Sequence, residues 1–220
     1  AEDLLAAGIK AGQSLDTSVL VVAGGGRASE LHAAALLMAM AQERMTRGNP
    51  GHDAPNPDDD HDASSAHGVS RTPEAWRYLP RPEGFDDIAL SDALGRLEAA
   101  VARHAPRLST PLGKLAALGG FETAFMAGLM AGAASRRIPL LLDGLSPIAA
   151  LQWLTGLEPA ARSFVTLADS LGLHADLGLP LPLLAFGVRS IDGSAGLLAL
   201  GALQSACSAL QDGNSPPSSP

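Results

Sequence analysis

The feature that most constrains this fold is a unit that occurs three times: a short apolar strand, a turn containing glycine, and a helix. Repeated strand–helix units give parallel strands with helices packed against the sheet. The strands are predicted at residues 18–23, 138–142 and 183–186, and the helices that follow them at 29–44, 146–154 and 194–210. Further helices are predicted at residues 2–11, 87–104 and 121–134. The sequence therefore predicts an α/β fold with a doubly wound, mostly parallel, Rossmann-like sheet in three layers.

The domain organisation follows from where the apolar periodicity stops. Residues 1–46 and 86–211 carry it and are predicted to be the two parts of one domain. Residues 47–85 are rich in Pro, Gly, Asn, Ser and Asp, which predicts a disordered insertion. Because loops of this length are uncommon in compact domains, a lost pairing with a missing element is the alternative interpretation. Residues 212–220 are predicted to be a disordered tail rich in Ser and Pro.

Composition and charge argue against several classes of partner. The formal net charge is -8 and 4% of the residues are aromatic, which disfavours a nucleic-acid surface, an anionic membrane surface and a single-strand stacking platform. Cys207 is the only cysteine, so an intrachain disulfide is excluded and a reducing compartment, the cytoplasm, is expected. We therefore expect a small-molecule ligand and neither a nucleic-acid nor a membrane partner.

Neither a membrane span nor a complete N-terminus is expected. Charged residues interrupt the most hydrophobic region, so no apolar run is expected to reach the roughly 20 residues that cross a bilayer. These residues are Arg136, Arg137, Asp143, Arg189 and Asp192. The chain begins Ala1-Glu2-Asp3, without methionine or a signal pattern, and we expect it to be a fragment of a longer protein.

Polar and glycine residues collect where the predicted strands end. They are the Gly24-Gly25-Gly26 turn, Asp143-Gly144, and Arg189 with Asp192-Gly193-Ser194. Ligands of doubly wound sheets bind outside the carboxyl ends of the strands. A turn from a strand into a helix exposes backbone N–H groups and the positive end of the helix dipole, and both suit a phosphate. The sequence therefore predicts one crevice that binds a ribose 5-phosphate.

Several of these residues admit a second interpretation. The glycine turn could belong to a Rossmann dinucleotide site, but Ser29 holds the third glycine position and no acidic residue follows in a strand about twenty residues on. A tight turn before a packed helix fits it as well as phosphate binding does. Glu122 fits either a hydrogen bond to a ribose hydroxyl or an interaction with its own helix dipole. Asp143 is favoured as a crevice residue, and Arg189 could simply pair with it.

The histidines do not predict a metal site. His52, His61 and His67 lie among Asp residues, but their spacing is loose and no rigid element presets their geometry. A solvated acidic loop is therefore favoured. His174 is a lone histidine in a predicted loop and is interpreted as polar filler.

Three blocks of sequence, in order, carry a resemblance to one enzyme family. They are Pro-Leu-Gly-Lys-Leu-Ala-Ala-Leu-Gly-Gly-Phe-Glu-Thr-Ala from Pro111, Arg-Ile-Pro-Leu-Leu-Leu-Asp-Gly from Arg137, and Phe-Gly-Val-Arg-Ser-Ile-Asp-Gly-Ser from Phe186. They resemble the blocks GGFEIA, RIPVLLDGF and LGLRLGEGSGA of the nicotinate-nucleotide:dimethylbenzimidazole phosphoribosyltransferases, at similar spacing. Three blocks in order over nearly ninety residues make the resemblance specific.

The stretch that begins at Val19 resembles the same family but departs from it in chemistry. It lies over the family's LLVLGEMGIGNTTAA, with Gly24 in place of the acidic residue and Ala28-Ser29-Glu30-Leu31 in place of the Gly-Asn-Thr-Thr phosphate cradle. Ser29 still offers a hydrogen bond, whereas Glu30 at a phosphate site would repel the ligand.

The resemblance implies a reaction and a catalytic base. The family transfers the phosphoribosyl group of nicotinate mononucleotide to 5,6-dimethylbenzimidazole, which gives α-ribazole phosphate and nicotinate. Its general base is a glutamate at the position of Asp192 here. The shorter arm withdraws the carboxylate by roughly 1.5 Å, and a misplacement of about 1 Å can cost about a hundredfold in rate. Nicotinate leaves from a cationic pyridinium, so no metal and no cofactor are predicted.

The resemblance also implies the binding residues and the partners. The phosphoribosyl or nucleotide group is predicted to contact Gly25, Gly26, Ser29, Gly119, Gly120, Glu122, Asp143, Gly144, Arg189, Gly193 and Ser194. A homodimer is expected, and the Ala and Gly faces of the helix at 121–134 suit close helix packing. The family's N-terminal segment, which supplies much of the benzimidazole pocket, is absent from this sequence. The alternative is a non-catalytic relative that binds nucleotide or acts as a partner subunit.

Overall fold

The computed structural model describes residues 1–24, 29–46, 87–169, 177–188 and 193–213. For residues 29, 44–46, 87, 212 and 213 it describes the backbone only. The predicted insertion at 47–85 lies outside these ranges, so the division of the chain stays a prediction. Helix α7, defined below, reaches Gly213, two residues into the predicted tail.

The sheet is parallel and has the order β1-β2-β3. Strand β1 is Leu20–Ala23, β2 is Leu140–Asp143 and β3 is Val165–Leu167. All four residues of β2 are buried, as the continuous apolar run of a central parallel strand requires. Leu20 pairs with Leu140 and Leu140 pairs with Val165, which brings the carboxyl ends of all three strands to one edge.

The prediction of a strand at residues 183–186 was wrong. The third strand of the sheet is β3 instead. Within the described residues, this segment forms only a parallel bridge between Leu184 and Asp169, with the N–H groups of Leu183 and Leu184 donating to Leu167 and Ala168. Pro182 precedes the segment and has no N–H to extend a ladder.

The helices agree with the predicted positions to within a few residues. They are α1 (Glu2–Ser14), α2 (Ser29–Thr46), α3 (Asp87–His104), α4 (Pro111–Lys114), α5 (Gly120–Ser135), α6 (Leu145–Thr155) and α7 (Ser194–Gly213). Short 3₁₀ helices lie at Ala105–Arg107 and Pro159–Phe164, and a π-helical turn at Leu115–Gly119 joins α4 to α5. Helix α4 was not predicted, although Thr110 caps it by accepting the Gly113 N–H at 3.0 Å, with Pro111 in the first turn.

Helices cover both faces of the sheet, which confirms the three-layer α/β prediction. Helices α2, α5 and α6 form the main core on one face with Val22 and the inward side chains of β2. On the other face α7 packs on the sheet, where Ala195 and Ala199 meet Leu141 and Ala168, and Leu184 and Val188 pack against the same cluster. Small residues let α7 lie close to the strands, since a Cβ at Gly196 would be 2.6 Å from Val21 Cγ1.

Helices α1 and α5 touch through glycines. Gly8 and Gly12 of α1 face Gly128 and Gly132 of α5, and a Cβ at any of the four would collide with backbone atoms of the other helix. A small residue at every fourth position lets helix backbones approach closely. The glycine face of α5 therefore packs against α1 within this chain.

One apolar segment is longer than the sequence analysis anticipated. Pro111–Ser135 spans 25 residues and contains an 18-residue window with a mean hydropathy of 1.3, so it is long and apolar enough to cross a membrane. The prediction that no apolar run reaches this length was therefore wrong by length and composition. The charged residues that were expected to interrupt it begin only at Arg136. The segment contains the π-helical turn, Gly120 has a φ of 69°, and α5 packs on α1 and α6. These are features of a core helix.

Candidate functional site

The carboxyl ends of β1 and β2 meet the starts of α5 and α6. Gly24 follows β1 and is buried, and a Cβ there would lie 2.9 Å from Ser146 Cβ and 3.4 Å from Glu122 Oε1. Gly144 follows β2 with a φ of 95°, a left-handed conformation that favours glycine. The predicted residues Glu122, Asp143 and Gly144 are therefore brought together, as the rule for strand ends anticipated.

Glu30, in the first turn of α2, reaches across the crevice to the start of α6. Its carboxylate accepts the backbone N–H groups of Leu145 and Ser146, and the Ser146 hydroxyl donates to Oε1 at 3.4 Å. Burial raises the pKa of this carboxyl above its usual value, the nearby charge of Glu122 raises it further, and the three hydrogen bonds oppose the rise. The N–H groups at the start of α6 are thus already bonded to a carboxyl group of this chain.

This contact corrects two sequence interpretations. The helix predicted to start at residue 146 begins one residue earlier, at Leu145 after Gly144, and the Ser146 hydroxyl bonds to Glu30. Glu30 was interpreted only as a substitution hostile to phosphate and was not named as a site residue. No local sequence pattern indicates this contact, because 116 positions separate Glu30 from Ser146.

Asp143 holds the start of α7. Its Oδ2 accepts the Gly196 N–H at 2.8 Å, in the first turn of that helix. A Cβ at Gly196 would lie 3.4 Å from Asp143 Cβ, so glycine permits this approach. Gly193 has a φ of 91° and lies against Ala23 at the end of β1. Gly193 therefore lies at the end of β1, and the helix that begins at Ser194 is held to the end of β2 through Gly196.

Asp169, two residues beyond β3, was not predicted as a site residue. Its two oxygens accept the N–H groups of Phe186 at 2.9 Å and Val188 at 2.6 Å, on either side of Gly187. The sequence does contain a signal for Asp169, because it is an acidic residue shortly after the buried Val-Thr-Leu strand. Asp143 was selected by the same rule. The strand itself had been missed, so the rule was not applied.

Glu30, Asp143 and Asp169 thus share one role at the same edge of the sheet. Each is between 5% and 7% exposed, and each accepts backbone N–H groups at a helix start or a turn. These N–H groups are of the kind that binds anions. Among the residues that the structure describes, no three His, Cys, Asp or Glu side chains are grouped to hold a metal ion.

The Gly119-Gly120 turn packs against α2. A Cβ at Gly120 would lie 3.1 Å from Nδ1 of His32, two residues after Glu30. Gly119 is buried, whereas Phe121 is 82% exposed at the start of α5. The predicted glycine turn therefore lies between the starts of α2 and α5, beside the crevice.

The remaining predicted residues are not described. Gly25, Gly26, Arg189 and Asp192 lie outside the described ranges, as does the side chain of Ser29. The same holds for His52, His61, His67 and His174. Their assigned roles stay predictions.

Comparisons with known proteins agree with this fold. A phosphoribosyltransferase family model matches residues 66–216. A nicotinate-nucleotide–dimethylbenzimidazole phosphoribosyltransferase of Roseiflexus castenholzii is 34% identical over 140 residues, covering 60% of this chain and 39% of its own length. The enzyme of the same name from Mesorhizobium japonicum is 38% identical over 139 residues, covering 60% and 41%. The crystal structure of CobT from Thermus thermophilus superposes with a TM-score of 0.65 at 22% identity, covering 93% of this chain and 55% of that one.

The fold is that of an α/β protein with a crevice at the carboxyl edge of a parallel sheet. The chain belongs to the phosphoribosyltransferase family that contains the nicotinate-nucleotide–dimethylbenzimidazole phosphoribosyltransferases. The matched region spans about two fifths of the length of these curated relatives.

Proposed function

We propose that this chain takes part in the transfer of the phosphoribosyl group from nicotinate mononucleotide to 5,6-dimethylbenzimidazole, a step of cobalamin lower-ligand assembly. Family membership supports this, and so does the crevice in which Gly24, Glu122 and Gly144 converge at the ends of β1 and β2. That convergence is the observation that carries the proposal. Strand-end crevices of this kind receive nucleotides in doubly wound folds.

The chemistry assigns a role to each group. A ring nitrogen of the benzimidazole attacks the anomeric carbon, the bond to the pyridinium nitrogen breaks, and nicotinate departs with that electron pair. Asp192 accepts the N–H proton of the incoming base. Glu122 accepts a hydrogen bond from a ribose hydroxyl, and the glycines let the sugar approach the backbone. The electron pair that nicotinate takes neutralises its own cationic ring, so the step needs no metal or cofactor.

The setting of the activity is part of the same proposal. We propose a homodimer in the cytoplasm, in line with the acidic charge and the single cysteine. The glycine face of α5 is used by α1 within the chain, so another surface would form the dimer.

The test is to incubate the purified chain with nicotinate mononucleotide and dimethylbenzimidazole and to measure α-ribazole phosphate by mass spectrometry. We expect slow turnover that rises by up to about a hundredfold in Asp192→Glu, which restores the length of the family's base, and disappears in Asp192→Asn. Asp92→Asn, an exposed position on α3, is the matched control. If no product forms even with Asp192→Glu, this chain alone is not an enzyme.

The second candidate is a non-catalytic relative that binds nucleotide or serves as a partner subunit. The observation that favours it is the set of internal carboxylates, Glu30, Asp143 and Asp169, on backbone N–H groups suited to an anion. Calorimetry separates the two candidates. Nicotinate mononucleotide that binds without turnover supports this one, whereas a chain that binds none retains only a structural role.

A further inference from the structure

We propose that Glu30 is a specificity-determining residue, whose carboxylate occupies the start of α6, excludes a phosphate monoester from the β2–α6 turn, and leaves that turn to the hydroxyl groups of the ligand. This inference rests on the proposed function only in taking the crevice as a nucleotide site. Exclusion of phosphate from the turn can be tested without that assumption.

The first argument is that the anion-binding position at the start of α6 is already occupied by the Glu30 carboxylate. Glu30 extends from α2 to α6 and accepts the N–H groups of Leu145 and Ser146 together with the Ser146 hydroxyl. These are the donors that a phosphate would use at the start of this helix. A phosphate could reach them only by displacing the carboxylate of a residue that is 7% exposed.

The second argument is charge. Glu122 lies close enough to Glu30 to raise the pKa of the Glu30 carboxyl, so two carboxylates face the same small space. A Cβ at Gly144 would lie 3.7 Å from Glu30 Oε1, and a Cβ at Gly24 would lie 3.4 Å from Glu122 Oε1, so both carboxylates border the glycines that end the strands. A dianionic phosphate placed there would meet like charges at close range.

The third argument concerns what the turn can accept. Ionised carboxylates only accept hydrogen bonds, so the groups that match them are donors. In a nucleoside monophosphate these donors are the ribose hydroxyls. The sugar therefore faces the β2–α6 turn, and the phosphate lies away from it.

The test is calorimetric titration of inorganic phosphate into wild type, Glu30→Ala and Glu30→Gln at neutral pH. Alanine frees the N–H groups, and we expect phosphate affinity at least about tenfold above that of wild type, the effect of one hydrogen bond to a charged group. Glutamine keeps the shape and an acceptor but removes the charge, so its affinity should lie between the two. Asp92→Ala, the same change of charge on the exposed face of α3, should bind as wild type does.

Equal phosphate affinity in wild type and Glu30→Ala, including none in either, overturns the inference. Thermal melting of each variant shows that it is folded, and the near-isosteric Glu30→Gln keeps the test decisive if Glu30→Ala unfolds: glutamine affinity equal to wild type then overturns it. A second titration, with nicotinate mononucleotide and its unphosphorylated riboside, separates the two claims. Failure of wild type to bind either the nucleotide or the riboside contradicts the proposed function and leaves the phosphate result interpretable.

Discussion

Glycines allow close packing both in the α1–α5 contact and in the crevice, but the groups that they bring together differ. In the first, glycines bring two helix backbones together without side chains between them, so no room is left for a Cβ. In the second, glycines at the strand ends leave room for buried carboxylates, which bond to backbone N–H groups. Glycine therefore allows close helix packing in one region and leaves space for side chains in the other. Substitutions should therefore fail for different reasons in each.

The largest effect is expected at the helix contact. Gly128→Ala places a Cβ against the Leu5 carbonyl of α1, and neither backbone can move without separating the helices. We expect a loss of about 3 kcal/mol in the free energy of unfolding, in the upper range for overpacking. Urea denaturation followed by circular dichroism measures it.

The matched control is the same substitution at Gly95 in α3. A Cβ there meets nothing within 4 Å, so only helix propensity changes. Gly95→Ala should stabilise the protein by up to about 1 kcal/mol. If both variants shift stability in the same direction, the close contact between α1 and α5 is contradicted.

An intermediate effect is expected at Asp169 in the crevice. Asparagine can accept only one of the two N–H groups, from Phe186 and Val188, and turns an NH₂ group toward the other. We expect Asp169→Asn to cost about 2 kcal/mol, the range for a buried donor left unsatisfied. Faster amide exchange at Phe186 and Val188 should accompany the loss, and unchanged exchange there would show that the carboxylate does not hold the turn.

The extent of sequence prediction follows the same division. Helix α3 was predicted from Asp87 to His104, as observed, because its apolar stripe is local and regular. Asp143 and Gly193 were placed in one crevice because parallel strands end at one edge of the sheet. Strand β3 was missed because three residues carry no periodicity, and its place depends on pairing with β2.

The charges of the crevice were less predictable than its position. The bond between Glu30 and Ser146 joins residues 116 positions apart, and its formation depends on how α2 and α6 pack against β1 and β2. From the sequence, Glu30 could be interpreted only by comparison with the Gly-Asn-Thr-Thr phosphate cradle of the family. In the folded chain the Glu30 side chain turns toward α6, where its carboxylate occupies the position that an anion would take.

The smallest effect is expected from pH acting on Glu30. Its pKa in the folded protein is raised above the usual 4.5, so the folded state holds this proton more tightly than the unfolded chain does. The stabilisation is complete below the unfolded pKa and is lost as pH rises through the folded one. Glu30→Gln cannot ionise and should melt higher than wild type at pH 7, with the gap closing as the pH falls below about 4.5. Melting curves between about pH 4 and 8 measure it, and a gap that widens toward low pH would contradict the raised pKa.

The most direct test of the account is calorimetric titration of nicotinate mononucleotide into wild type and Glu122→Gln, with Gly95→Ala as a folded control. Glu122 borders Gly24 and is assigned to a ribose hydroxyl, so its charged hydrogen bond should be worth about tenfold in affinity. We predict that wild type and Gly95→Ala bind equally and that Glu122→Gln binds about tenfold more weakly. Equal binding by all three, or binding by none, would contradict the assignment of this crevice as the phosphoribosyl site.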